Sequence, residues 1–124
     1  GGNPSRRVVF RYFRDTAAAG ISIALLSLAD HLATYNGPGP DRPWQALLQV
    51  VQTLCHHYFD RHEETVAPPP VIDGRTLMDL LHISPGPELG RLLRLIHEAQ
   101  AAGEVDSVET AVALARQAYT PTKL

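Results

Sequence analysis

The run Cys55-His56-His57-Tyr58-Phe59-Asp60-Arg61-His62-Glu63-Glu64 gathers one cysteine, three histidines and three acids. On a helix His56, Asp60 and Glu63 share a face at i, i+4, i+7, and imidazole with carboxylate suits zinc, manganese or iron. The run has no H-E-x-x-H and no paired cysteines, so the plainer reading is a solvated polar face near a helix end. His31, His82 and His97 have no neighbouring ligand pair and read as surface or boundary residues. Cys55 follows Leu54 on an apolar side, as a buried thiol would, and no G-x-S-x-G elbow accompanies it. There is no P-loop and no G-x-G-x-x-G, hence no glycine-rich nucleotide cradle.

A second candidate lies between Ile72 and Leu93. Here Asp73-Gly74-Arg75-Thr76-Leu77-Met78 leads through His82-Ile83-Ser84-Pro85-Gly86-Pro87 to Glu88-Leu89-Gly90-Arg91-Leu92-Leu93. Physically this is helix, tight turn, helix, with prolines fixing φ on both sides of Gly86. The first turn of the second helix leaves backbone N–H groups without intrahelical partners, and with the positive end of the helix dipole they can hold an anion. Gly86 lets a phosphate come close. Arg91 and Arg94 fall off the Leu92, Leu93, Ile96 stripe and could add charge-assisted bonds to the same backbone, with Arg75 on the preceding helix. The competing reading is that Gly86 and Gly90 only let helices pack closely.

The elements that must position these groups are helical. Alanine and leucine, 15 and 16 residues, make a quarter of the 124-residue chain, while β-branched residues are scattered singly. The spacing predicts an all-α fold of about six helices. Ser5 to Asp15 forms an amphipathic helix with Val9, Phe10 and Phe13 on one face and Arg7, Arg11 and Arg14 on another. A second helix starts near Thr16 or Ala17, follows Ile21, Leu25, Leu28 and Leu32, and stops before Asn36-Gly37-Pro38-Gly39-Pro40. Asp41 is the expected N-cap of a third, running along Leu47, Val50, Val51, Leu54 and Tyr58 to about Glu64.

Ala67-Pro68-Pro69-Pro70 must be extended, because each proline disfavours helix in the residue before it. It marks the boundary between a helical bundle, residues 1–66, and a smaller helix-turn-helix-like subdomain, residues 67–124. Asp73-Gly74 opens a short helix carrying Leu77, Met78, Leu80 and Leu81. A longer one follows through Leu89, Leu92, Leu93 and Ile96, closed by Gly103. Asp106 with Glu109 reads as a capping box for a last helix over Val108, Val112 and Ala115 to about Ala118.

A net charge of −2 argues against strong sequence-blind binding of polyanions. Residues 1–14 nonetheless hold four arginines and no acid, so any nucleic-acid contact must be local. A lone cysteine fits a reducing compartment, the cytoplasm. The longest nearly apolar run, Ala17 to Ala29, is 13 residues, short of the roughly 18 that a bilayer span needs, so no membrane partner is expected. Ser5-Arg6-Arg7 lacks the context of a twin-arginine signal, and Gly1-Gly2-Asn3 reads as a ragged start.

The order Pro-Gly-Pro-x-x-Gly-x-Leu-Leu over Pro85 to Leu93, preceded by Ile72-x-Gly-x-x-Leu-Met and followed by Glu98-Ala99-Gln100 and Gly103-Glu104-Val105, resembles a known family. It is similar to the all-helical C-terminal region of class II tRNA nucleotidyltransferases and the related bacterial poly(A) polymerases. Arg11 to Thr16 and Leu26 to Thr34 are similar to the end of the HD-type helical domain in a branch of these proteins. The resemblance runs from about Arg6 to Arg116.

The resemblance implies an RNA-binding body and tail, with tRNA as substrate, the N-terminal nucleotidyltransferase head of the same protein as partner, and Mg2+ as cofactor of the parent enzyme. The polymerase Gly-Ser and Asp-x-Asp motifs are absent from this sequence. Of the HD ligands only Asp30 matches, as the distant Asp, while Asp30-His31 reverses the dyad; Asp30 would hold a metal only with ligands supplied from upstream. The expectation is a C-terminal fragment with no catalytic residue of its own, binding RNA through Arg75, Gly86, Arg91 and Arg94. Two alternatives stand beside it. One is a structural scaffold for an HD-type metal-dependent phosphohydrolase domain, and the other is a small metal hydrolase built on Asp30 and the His56 to Glu64 cluster.

Overall fold

The computed structural model describes residues 4–119, so the Gly1-Gly2-Asn3 start lies outside the described residues. It is all-helical, with six α-helices and no strand among the described residues. The chain divides into two compact units, Gly1–Ala67 and Pro68–Leu124.

In the first unit α1, Arg6–Thr16, is capped by Ser5, whose hydroxyl accepts from the Val8 amide at 3.2 Å. Its apolar stripe is inward, with Val9, Phe10 and Phe13 buried. The helix stops at Ala17, where φ is 51°, a conformation costly for any residue with a Cβ. After a 3₁₀ turn over Ala17–Ala19, α2 runs Gly20–Tyr35. The uninterrupted alanines predicted α2 to begin at Thr16 or Ala17. Side chains impose the later start: Thr16 Oγ1 donates back to the Tyr12 carbonyl at 2.7 Å, and the Tyr12 hydroxyl donates to the Gly20 carbonyl.

α2 ends on Asn36 in the left-handed region, as the Asn-Gly pair predicts. α3 spans Asp41–Asp60. Asp41 is its first residue rather than its cap; Pro40 occupies the cap position and makes no side-chain bond. The expected continuation to Glu64 is replaced by a break at Arg61 and a π-helical turn, His62–Val66, closed by the Ala67 amide on the His62 carbonyl at 2.8 Å. The core joins Val9, Phe13, Ala24, Val51 and Leu54, with Tyr12, Leu28, Leu47, Cys55 and Tyr58 packed around them.

α2 departs most from expectation. It turns Gly20 and Ala24 inward, while Leu25 and Leu32, expected in the core, are 52% and 39% exposed, beside Ile23 at 45% and Leu26 at 66%. With α1 it forms the Arg6–Tyr35 stretch, whose most apolar window has a mean hydropathy of 1.4 although it is largely uncovered. The run-length argument from Ala17 to Ala29 therefore understated how apolar this region is.

In the second unit α4, Gly74–Leu81, is capped by Asp73, and α5, Pro87–Ala101, begins with Pro87 at its first position. α6, Val108–Ala118, has a capping box, but it is Ser107 with Thr110, not Asp106 with Glu109. The Ser107 hydroxyl accepts from the Thr110 amide at 3.2 Å, and Thr110 Oγ1 accepts in return from the Ser107 amide at 3.1 Å. Leu77, Leu92, Ile96, Ala99, Val105, Ala111 and Ala115 close a core around Ile72. Two arginines stitch the helices by donating to carbonyls at helix C-termini, where cations oppose the dipole: Arg91 to Ala118 at 2.6 Å and Arg116 to Leu80 at 3.4 Å.

Candidate functional site

The proline-rich segment lies along α5. Prolines have no N–H, so the carbonyls of this strap need donors from elsewhere. His97 Nε2 donates to the Pro68 carbonyl at 2.8 Å, and Gln100 Nε2 to that of Pro69. The Gln100 carbonyl oxygen accepts from the Val71 amide at 3.3 Å. Beyond this clamp, the strap and α5 leave an open groove of about 350 Å3, walled mainly by Val71, Ile72, Leu93 and Ile96, with Arg94 and Asp73 at its edges. The Asp73 carboxylate accepts from the Thr76 amide at 2.8 Å, and the hydrogen bonds from Thr76 hold it below the usual carboxylate range.

The start of α5 is open. Gly86 is extended there, and a Cβ added to it would meet nothing within 4 Å, so close packing does not explain this glycine. Gly90 would bring a Cβ to 3.4 Å from an Arg94 guanidinium nitrogen. Arg94 thus reaches back along α5 toward Gly86, as long helical side chains lean. It has no hydrogen-bond or ion-pair partner among the described residues.

Arg91 is differently placed. Its Nε and Nη2 donate to the two carboxylate oxygens of Glu88, each at 2.7 Å, and Nη2 also holds the end of α6. The Glu88 bonds raise its pKa further above the ordinary arginine value. The spacing of Glu88 and Arg91, three apart on a helix, signals this pair in the sequence. Arg75, exposed and close enough to Asp73 for its charge to help lower that carboxyl's pKa, follows Gly74, whose position abuts Leu93 and Leu89 of α5. The structure therefore seats the Arg94 guanidinium against Gly90, one turn inside the start of α5 where Gly86 lies, sets Arg75 on the helix packed beside it, and engages Arg91 in holding helices together. His97 and Gln100 were missed by sequence reasoning because their role depends on where the strap runs.

The metal candidates do not converge. His56 Nδ1 and Asp60 are bonded at 3.0 Å on the exposed face of α3, but Glu63 lies past the break, in the π turn. His57 is buried on Thr65. The Thr65 hydroxyl gives its one proton to the Arg61 carbonyl at 3.1 Å, so it accepts from His57 Nδ1–H at 2.9 Å. Burial, then the charges of Arg61 and His56, lower the His57 pKa. Asp30 is exposed on α2, and its neighbour His31 turns instead to the Pro38 carbonyl at 2.7 Å, its ring in tilted contact with those of Tyr35 and Trp44. No cluster of three or more His, Cys, Asp or Glu side chains able to hold a metal ion occurs among the described residues.

Comparison with known proteins brings out relatives with one activity in common. The chain is 42% identical over 55 residues, 44% of its length, to the A-adding tRNA nucleotidyltransferase of Deinococcus radiodurans. It is 36% identical over 64 residues, 52% of its length, to the CC-adding tRNA nucleotidyltransferase of Synechocystis sp.. The CC-adding tRNA nucleotidyltransferase of Thermus thermophilus matches over 111 residues, 86% of the chain, at 33% identity. All three relatives are tRNA nucleotidyltransferases. The matches cover 13%, 15% and 22% of those proteins, so the chain spans about a fifth of their length or less. No family model and no solved structure matches.

Proposed function

We propose that this chain is an RNA-binding, C-terminal part of a tRNA nucleotidyltransferase-like protein and holds tRNA by its phosphate backbone. The observation that carries the reading is the match to the Thermus thermophilus enzyme across 86% of the chain. The start of α5 supports it: no side chain caps the helix, Gly86 is extended with open space where a Cβ would stand, and Arg94 and the exposed Arg75 are available as phosphate partners. Arg91 serves this surface by fixing α6 to α5. Catalysis belongs to a nucleotidyltransferase head elsewhere in the parent protein, and cytoplasmic tRNA is the substrate.

The test is a titration of labelled tRNA transcript at two salt concentrations with the wild-type chain and the Arg75→Ala/Arg94→Ala double variant. Weak binding with a salt slope set by about 3 to 5 phosphate contacts is expected, and the double variant should lose roughly two of them. Unchanged affinity in the double variant removes the RNA role from this face. A second reading, a scaffold supporting an HD-type phosphohydrolase domain, is favoured by the uncovered apolar face of α2. It predicts no dependence of tRNA affinity on either arginine.

A further inference from the structure

We propose that the groove between the Pro70–Gly74 strap and α5 receives the base of one unpaired RNA nucleotide, whose phosphate is held by Arg94. This rests on the RNA reading above and names the part of the RNA that enters. The groove, at about 350 Å3, lies in the range of small-ligand sites, about 300 to 1,000 Å3, and its walls are apolar. Its nearest polar groups are already engaged: His97 and Gln100 hold the strap carbonyls and the Val71 amide, and Asp73 caps α4. The slot therefore offers contact to a flat apolar face rather than a hydrogen-bond code.

The edge of the slot carries the opposite chemistry. Arg94 is a cation without a partner among the described residues, held back over Gly90 toward the start of α5, and Arg75 follows Gly74 at the strap's end. A flat ring joined to an anion complements this pairing of apolar slot and unpaired cation. An unstacked nucleotide is such a group, and proteins read single-stranded RNA by taking splayed bases against apolar and aromatic surfaces while cations track the backbone. An aliphatic side chain from a protein partner would fill the slot but leave Arg94 unused.

The four nucleoside 5′-monophosphates, ribose 5-phosphate and benzyl alcohol are titrated separately into the full 15N-labelled chain, followed by amide resonances, with a tRNA transcript titration in parallel. The nucleotides are expected to shift Val71, Ile72, Leu93 and Ile96 saturably, with little preference among bases, while ribose 5-phosphate shifts only residues around Arg94 and Gly86. Arg94→Gln should weaken the nucleotides at least threefold, and Val71→Phe, which fills the slot, should abolish the groove shifts while circular dichroism shows an intact fold. Benzyl alcohol binding as well as the nucleotides, with no effect of Arg94→Gln, identifies an apolar protein side chain as the occupant and overturns the proposal. Groove resonances that stay still while tRNA binds overturn it and leave the RNA reading standing. A chain that binds no tRNA overturns both.

Discussion

Residues 68–119 turn the apolar stripe of each helix into one core, whereas the first unit leaves most of the apolar surface of α2 uncovered. Leu92 on α5 is fully buried; Leu26, on the more apolar α2, is 66% exposed. Periodicity identifies which faces can be buried, but burial also needs a neighbour to cover them. In the second unit α4 and α6 both back α5. In the first, α2 meets the core through Gly20, Ala24 and partly buried Ile21 and Leu28, and its far side faces outward.

The largest effect should come from cutting the better-filled core. Leu92→Ala should cost about 2–5 kcal/mol, while Leu26→Ala should stay within about 0.5 kcal/mol. The sole tryptophan, Trp44, lies on α3, so its fluorescence follows the first unit, and far-UV circular dichroism follows both. Leu92→Ala should lower the dichroism transition and leave that of Trp44 in place. Equal movement of both signals would mean that the units do not melt separately, and the comparison would fail.

A smaller loss should follow in the first unit from Gly20→Ala. An added Cβ would lie 2.5 Å from Thr16 Oγ1 and 2.8 Å from the Phe13 ring, at the close approach that permits α1 and α2 to turn about Ala17. Overpacking of this kind costs about 1–3 kcal/mol. The Trp44 transition should fall by that amount while the remaining dichroism transition holds. An unshifted Trp44 signal would show that the corner relaxes freely.

The same contrast explains what the sequence could reveal. The helices of both units were legible because helix-opening residues, prolines and apolar spacing are local signals: Asp73 and the Asn36-Gly37 stop act where they stand. The break at Ala17 was hidden because alanine favours helix, and only Tyr12 reaching Gly20 forces the turn. The π turn was hidden for a like reason, since it forms where His57 finds Thr65 across eight residues. At the candidate site, Gly86 and Arg94 were visible as types at a helix start. The groove and the engagement of Arg91 with Ala118 depend on contacts 27 or more residues apart, which spacing alone does not encode.

That buried histidine gives the first unit a pH dependence. Unfolded, His57 titrates near 6.5; folded, its pKa is lowered by burial and by Arg61 and His56. Between the lowered value and 6.5 the unfolded chain binds more protons, so the stability is fully present above 6.5 and is lost as pH falls through the folded value. Urea unfolding followed by Trp44 should show a lower midpoint at about pH 5.5 than at about pH 7.5, and His57→Gln should shrink that difference. An equal pH response in the variant would place the proton elsewhere.

The smallest change should come at Gly86, and its smallness makes it informative. The residue is extended, a conformation open to any amino acid, and an added Cβ meets no atom within 4 Å. Gly86→Ala should therefore alter stability by less than about 0.5 kcal/mol, unlike Gly20→Ala in the first unit. The added methyl nevertheless stands at the positive end of the α5 dipole, where the proposed phosphate must approach closely. Its expected signature is a reduced tRNA affinity at an unchanged melting temperature, measured on the same preparation. A lowered melting temperature would instead make Gly86 a packing glycine, and an unchanged affinity would move the phosphate away from the start of α5 and toward the Arg94 edge of the groove.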